Sequence, residues 1–106
     1  CLYIWNAHAP EGRAAGLSDA LIDNLRDNVE LTGLAADEAA VVDYARELLG
    51  SNRVTQSSFD AAVGQFGTRG VVELNSLMGC YTMLALNLNS FDVQLPDSTT
   101  EKKLPV

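Results

Sequence analysis

The chain has 106 residues, 47 % of them hydrophobic, and a formal net charge of −7 from 7 basic and 14 acidic residues. That length suits one domain burying about 60–70 % of its unfolded surface. The basic residues are scattered, with Lys102-Lys103 the only adjacent pair, which argues against nucleic acid or an anionic membrane as partners.

Mean hydropathy is +0.04 and no apolar run reaches the roughly 18–20 residues of a membrane span, so the chain reads as soluble and globular. The two cysteines, Cys1 and Cys80, lie far apart and define no disulfide framework. No Cys/His cluster has metal-ligand spacing and no glycine loop cradles a phosphate, so neither metal nor cofactor is expected. A reducing cytoplasm is the expected compartment.

No alternating strand pattern occurs, and the periodicity predicts an all-α fold of five helices. The first covers about residues 2–15 and stops at Gly16, with Pro10 either kinking it or marking its first turn. Ser18 caps a second helix with Leu21, Ile22 and Leu25 on its apolar face, fading by Asn28. Asp37-Glu38 opens a third, with Val41, Tyr44, Ala45 and Leu48 on one stripe, Val42 and Leu49 beside it, and Gly50 as the residue that ends it. Thr55 caps a fourth, in which Phe59, Val63 and Phe66 recur on one face, and Gly67 ends it.

The fifth helix, about residues 70–90, is the longest. Val71, Leu74, Met78, Tyr81, Ala85 and Leu88 form one apolar stripe, and Leu77, Leu84 and Phe91 a second. A helix apolar over so much of its circumference is central to a domain or shared with another subunit, so self-association is expected. The helical domain spans residues 1–96, and residues 97–106 read as an extended tail.

Chemistry concentrates at the start of the chain. The only histidine, His8, stands one turn beyond Ile4 and Trp5 and two turns beyond Cys1, which aligns a thiol, an aromatic wall and an imidazole on one helix face. A cysteine at a helix N-terminus gains thiolate character, and histidine is the commonest acid–base group at neutral pH. Cys1 and His8 are therefore the candidate catalytic residues, and Trp5 a substrate wall. The only carboxylate near His8 in sequence is Glu11. On the long helix Glu73, Cys80 and Asn87 recur every seven residues as a polar seam; either it lines a pocket beside His8 or it faces solvent or a subunit. Glu73 and Tyr81 are the further candidates for contact with a substrate.

The run Trp5-Asn6-Ala7-His8-Ala9-Pro10, followed by Arg13-Ala14-Ala15-Gly16-Leu17-Ser18, resembles the carboxymuconolactone decarboxylase and AhpD-like alkylhydroperoxidase superfamily. Residues 37–49 and 70–83 are similar to later helices of that family, so the likeness extends to about Pro96. It implies an AhpD-like helical domain whose leading helix or helices lie upstream of Cys1, and a trimer or hexamer. It also implies a cofactor-free, decarboxylase-like lyase acting on a small carboxylated or lactone-like molecule, with His8 as general acid or base. The thiol branch of the family carries Cys-x-x-Cys-x-x-x-His; Cys1 and His8 match its ends, while Ile4 replaces the second cysteine. The alternatives are an AhpD-like thiol peroxidase using Cys1, with Cys80 as resolving thiol, and a non-catalytic ligand-binding or structural oligomer.

Overall fold

Four helices make up the computed structural model, which describes residues 1–105. They are α1 (Leu2–Ala14), α2 (Asp19–Arg26), α3 (Ala36–Ser51) and α4 (Gln56–Ser90), and no strand occurs among the described residues. The protein is all-helical, as expected. Pro10 lies inside α1 without ending it; its ring only removes the helical donor for the Asn6 carbonyl. Ser18 Oγ accepts the Leu21 N–H at 3.1 Å and caps α2. At the head of α3 the Glu38 carboxylate accepts the Ala35 N–H at 3.2 Å, one half of a capping box that an alanine cannot complete.

One helix end departs from expectation. Gly50 does not stop α3: the helix runs on to Ser51, and Asn52 takes the left-handed conformation (φ 57°) with its N–H on the Leu48 carbonyl at 2.9 Å. Asparagine tolerates that conformation and so replaces glycine as the terminator. The expected fourth and fifth helices are present as two helical segments of α4 that meet at a break at Gly67 (φ 68°, ψ 170°), as expected. One glycine absorbs the whole break, and helical geometry continues on either side. Gly70 is needed as well, because a Cβ there would lie 2.6 Å from Phe66 Cβ.

The chain divides into two compact units, Gly33–Cys80 and Cys1–Thr32 together with the chain from Tyr81 onward. In the Gly33–Cys80 unit, Tyr44, Ala62 and Val71 are buried, and Leu48, Val54, Val63, Leu74 and Met78 pack around them. Tyr44 keeps its hydroxyl satisfied by donating to Asn75 Oδ1 at 3.0 Å. Glu47 accepts from Ser58 Oγ and from the Thr55 N–H, each at 2.7 Å, at the entrance to α4. Those donors, Ser58 first and then Thr55, hold the Glu47 carboxyl below the usual range.

Of the stripe Phe59, Val63 and Phe66, Val63 packs on the core while both rings stay exposed, and the fully buried position on that segment is Ala62. A methyl lets the helix close onto the Tyr44 ring, where a phenyl would hold it away. On the longer segment the first stripe is correct: Val71 is buried, and Leu74, Met78, Tyr81, Ala85 and Leu88 are at least partly so. Leu77, Leu84 and Phe91 are exposed, with Val72, Met83 and Leu86 also open to solvent. By length and composition α4 is apolar enough to cross a membrane, although only 6 % of its most apolar stretch is buried. Glu73, Asn75 and Asn87 interrupt its apolar residues, so it contains no unbroken apolar run of that length.

In the other unit α1 packs on α2, burying Ala9 and Ile22. Among the described residues, 97–105 form no helix, yet they are tied down. The Trp5 indole Nε1 donates to the Lys102 carbonyl and Asn6 Nδ2 to the Glu101 carbonyl, both at 3.0 Å. Arg13 forks onto both carboxylate oxygens of Glu101 at 3.0 and 3.3 Å, and it also pairs with Asp19 and Asp23. Lys102 reaches Asp23 at 3.2 Å, and Arg26 pairs with Asp23 and Asp27. The Arg13 guanidinium holds the Glu101 carboxyl below the ordinary range, Lys102 and then Arg13 do so for Asp23, and Arg26 for Asp27.

Two outcomes are expected. Ala62→Leu should destabilise the protein by about 2 kcal/mol in urea titration through overpacking, whereas Phe59→Ser, at an exposed position, should cost well under that. Because the three tail-cluster carboxyls titrate lower when folded, their stabilisation is complete above the unfolded value of about 4 and is lost as pH falls through the folded values. Trp5 fluorescence should therefore report release of the tail only below about pH 4, and Glu101→Gln should produce that release at neutral pH.

Candidate functional site

His8 lies in the middle of α1, and Tyr81 belongs to the last part of α4; both are in the same compact unit. The helical backbone aims His8 so that its Nδ1 lies 3.0 Å from the Ile4 carbonyl oxygen, one turn back. Its Nε2 lies 2.8 Å from Tyr81 Oη. The two rings meet edge to face, with centroids 5.0 Å apart and planes at 88°. Glu11 Oε2 is 3.9 Å from Nε2, placed to pair with the ring when it carries its second proton.

The bonding partners define the neutral tautomer. A carbonyl oxygen can only accept, so Nδ1 carries the hydrogen and donates it to Ile4. Nε2 is then a lone pair, and the Tyr81 hydroxyl donates to it. The result is a phenol hydrogen-bonded to a base whose far nitrogen is held by a third group, an arrangement suited to moving a proton to or from a bound molecule. The His8 side chain is 45 % exposed, so the pair is open to solutes.

The other sequence candidates are placed differently. Cys1 occupies the N-cap position of α1, half-buried, as a free thiol, and Cys80 is an exposed free thiol. The Trp5 indole N–H is committed to the tail at Lys102. Glu73 belongs to the Gly33–Cys80 unit, where its exposed carboxylate pairs with Arg69 at 2.9 Å. Among the described residues no group of three or more His, Cys, Asp or Glu side chains is arranged to hold a metal.

Sequence reasoning singled out both His8 and Tyr81 but not their contact, because they are 73 residues apart. It also looked for a carboxylate to orient the imidazole, and the orienting group is a backbone carbonyl. Any residue at position 4 supplies that atom, so no side-chain pattern could have revealed it.

No protein-family model, curated protein or solved structure matches the chain.

The tautomer can be read directly. Long-range 1H–15N spectra of neutral His8 should show the unprotonated, pyridine-like nitrogen at Nε2. Tyr81→Phe should move that nitrogen's shift towards the value for a ring without a donor while leaving Nδ1 protonated. An Nε2–H tautomer would refute the arrangement.

Proposed function

We propose that the protein is a carboxymuconolactone decarboxylase-like lyase acting without a cofactor on a small carboxylated or lactone-like molecule, with His8 and Tyr81 as its acid–base pair. The reading rests on the resemblance of residues 5–18 to that family. The observation that carries it is the 2.8 Å contact between Tyr81 Oη and His8 Nε2, with Nδ1 anchored on Ile4.

The chemistry is a proton delivery. Loss of carbon dioxide leaves the bond's electron pair on carbon as an enolate-like carbanion, and one proton must reach that carbon. With His8 doubly protonated, Nε2–H points at the Tyr81 oxygen. The Tyr81 proton passes to the substrate carbon while the Nε2 proton passes to the Tyr81 oxygen. Both residues end neutral, and solvent restores the proton on His8. Glu11 faces the imidazolium during the waiting step.

Self-association is part of the same proposal. Leu77, Met83, Leu84, Leu86 and Phe91 leave apolar surface open along α4, which favours burial against further chains. A trimer or hexamer is the state implied by the resemblance.

Turnover of carboxymuconolactone, followed by loss of its absorbance, tests the reading. His8→Gln should lower kcat at least a hundredfold and Tyr81→Phe about tenfold or more, with folding unchanged by circular dichroism. Activity that survives both substitutions would remove the pair from the reaction.

A further inference from the structure

The end of α4, the turn that follows it, the start of α1 and the tail line an open cleft of about 280 Å³, all within one compact unit. Asp92 makes the turn in the left-handed conformation (φ 49°). Its N–H donates to the Asn89 carbonyl at 3.2 Å, and the Val93 N–H donates to the Leu88 carbonyl at 3.0 Å. These two returning N–H groups form a Schellman helix ending, whose left-handed residue is most often glycine. Here an aspartate takes that place, and its carbonyl accepts from Gln94 Nε2 at 2.9 Å. Lys103 reaches the cleft from the tail, next to the Lys102 carbonyl that holds the Trp5 indole. Two separately anchored stretches of backbone thus bring one acid and one base to the same space.

Neither charge is spent inside the protein. Among the described residues no hydrogen bond or ion pair uses the Asp92 carboxylate, the Lys103 ammonium or the Asn89 side-chain amide, and all three residues line the cleft. Lys102 pairs with Asp23, whereas Lys103 pairs with no carboxylate, Asp92 included. The carbonyls at the C-terminal end of α4 add partial negative charge on the Asp92 side. Leu88, Val93, Leu95 and Tyr3 supply apolar wall to the same cleft. It therefore offers a site for a cation, a site for an anion and a surface for a hydrocarbon body.

We propose that this cleft binds a small zwitterion with an apolar body, an α-amino acid of the leucine type. Its ammonium pairs with Asp92, its carboxylate with Lys103 and the Asn89 amide, and its side chain lies against Leu88, Val93 and Leu95. A zwitterion suits the site because it gains a charge-assisted hydrogen bond at each end. A ligand with one charge gains one such bond and meets a like charge from the other residue. A neutral ligand gains neither. His8 and Tyr81 do not line the cleft, so the proposal stands or falls apart from the lyase reading.

The test uses three ligands with one hydrocarbon body: L-leucine, 4-methylpentanoate, which lacks the ammonium, and 3-methylbutylamine, which lacks the carboxylate. Each is titrated into the isotopically labelled whole chain and followed by NMR. L-Leucine should give saturable shifts at the methyl groups of Leu88, Val93 and Leu95, and each analogue should bind about tenfold more weakly or worse. Asp92→Asn keeps a residue that tolerates the left-handed turn. It should weaken L-leucine and the amine about tenfold and should not weaken the carboxylate. Lys103→Gln should do the reverse, weakening L-leucine and the carboxylate but not the amine. A loss caused by damage to the fold would strike all three ligands alike. Three results would each overturn the proposal: no saturable shift at these residues, L-leucine binding no tighter than its analogues, or substitutions that weaken both analogues equally.

Discussion

The ion pair between Arg13 and Glu101 is the constraint on which the Cys1–Thr32 unit and the tail depend. Only 11 % of the Glu101 side chain is exposed, and its two oxygens face a planar guanidinium in the forked geometry that makes such pairs directional. A carboxylate so enclosed would be costly without its partner. Holding Glu101 there also fixes its backbone carbonyl over Asn6 and the next carbonyl over Trp5, so one side-chain contact sets three. Lys102, one residue on, then reaches Asp23 and joins the tail to α2. The negative net charge of the chain makes this cluster more significant, because three of its seven cations are spent there against Asp19, Asp23, Asp27 and Glu101.

Helix α1 separates two tasks by its own periodicity. Trp5, Asn6 and Arg13 all bond to the tail, whereas Ile4, His8 and Glu11 follow one another at spacings of four and three and form a different face. The clamp can therefore hold the helix without occupying the imidazole. Pro10 is tolerated between these groups because it removes only one helical hydrogen bond, and the Ile4 carbonyl that anchors His8 lies a turn and a half earlier.

Local chemistry made much of this readable in advance, and distance in sequence hid the rest. Ser18 as a cap, Gly67 as a break and the stripe from Val71 to Leu88 are properties of neighbouring residues, and they stand as expected. The spacing of Phe59, Val63 and Phe66 found the side of the helix that faces the core, since Val63 packs there and Ala62 lies on the same side, but not that both rings would stay at its edge while full burial went to Ala62, whose small size no periodicity argument rewards. The Arg13–Glu101 pair spans 88 residues and the His8–Tyr81 pair spans 73. Both ends of each pair are polar groups whose value depends wholly on a partner that the pattern does not specify.

Ile4 holds His8 through its backbone rather than its side chain. In the resemblance, position 4 matters through its side chain, the second cysteine of the thiol branch, and an isoleucine there removes that function. In the structure what holds His8 is the carbonyl of that residue, which is independent of side-chain identity. The imidazole needs no neighbouring carboxylate to set its tautomer, and Nε2 is left for a group brought from the far end of the chain. Tyr81 meets that requirement because it stands on the partly buried stripe of α4, where packing limits its rotamers, while its hydroxyl ends at the exposed imidazole. A phenol anchored by packing and an imidazole anchored by its own helix can hold a short hydrogen bond at a solvent-open surface, where two long flexible side chains would lose it to rotamer entropy.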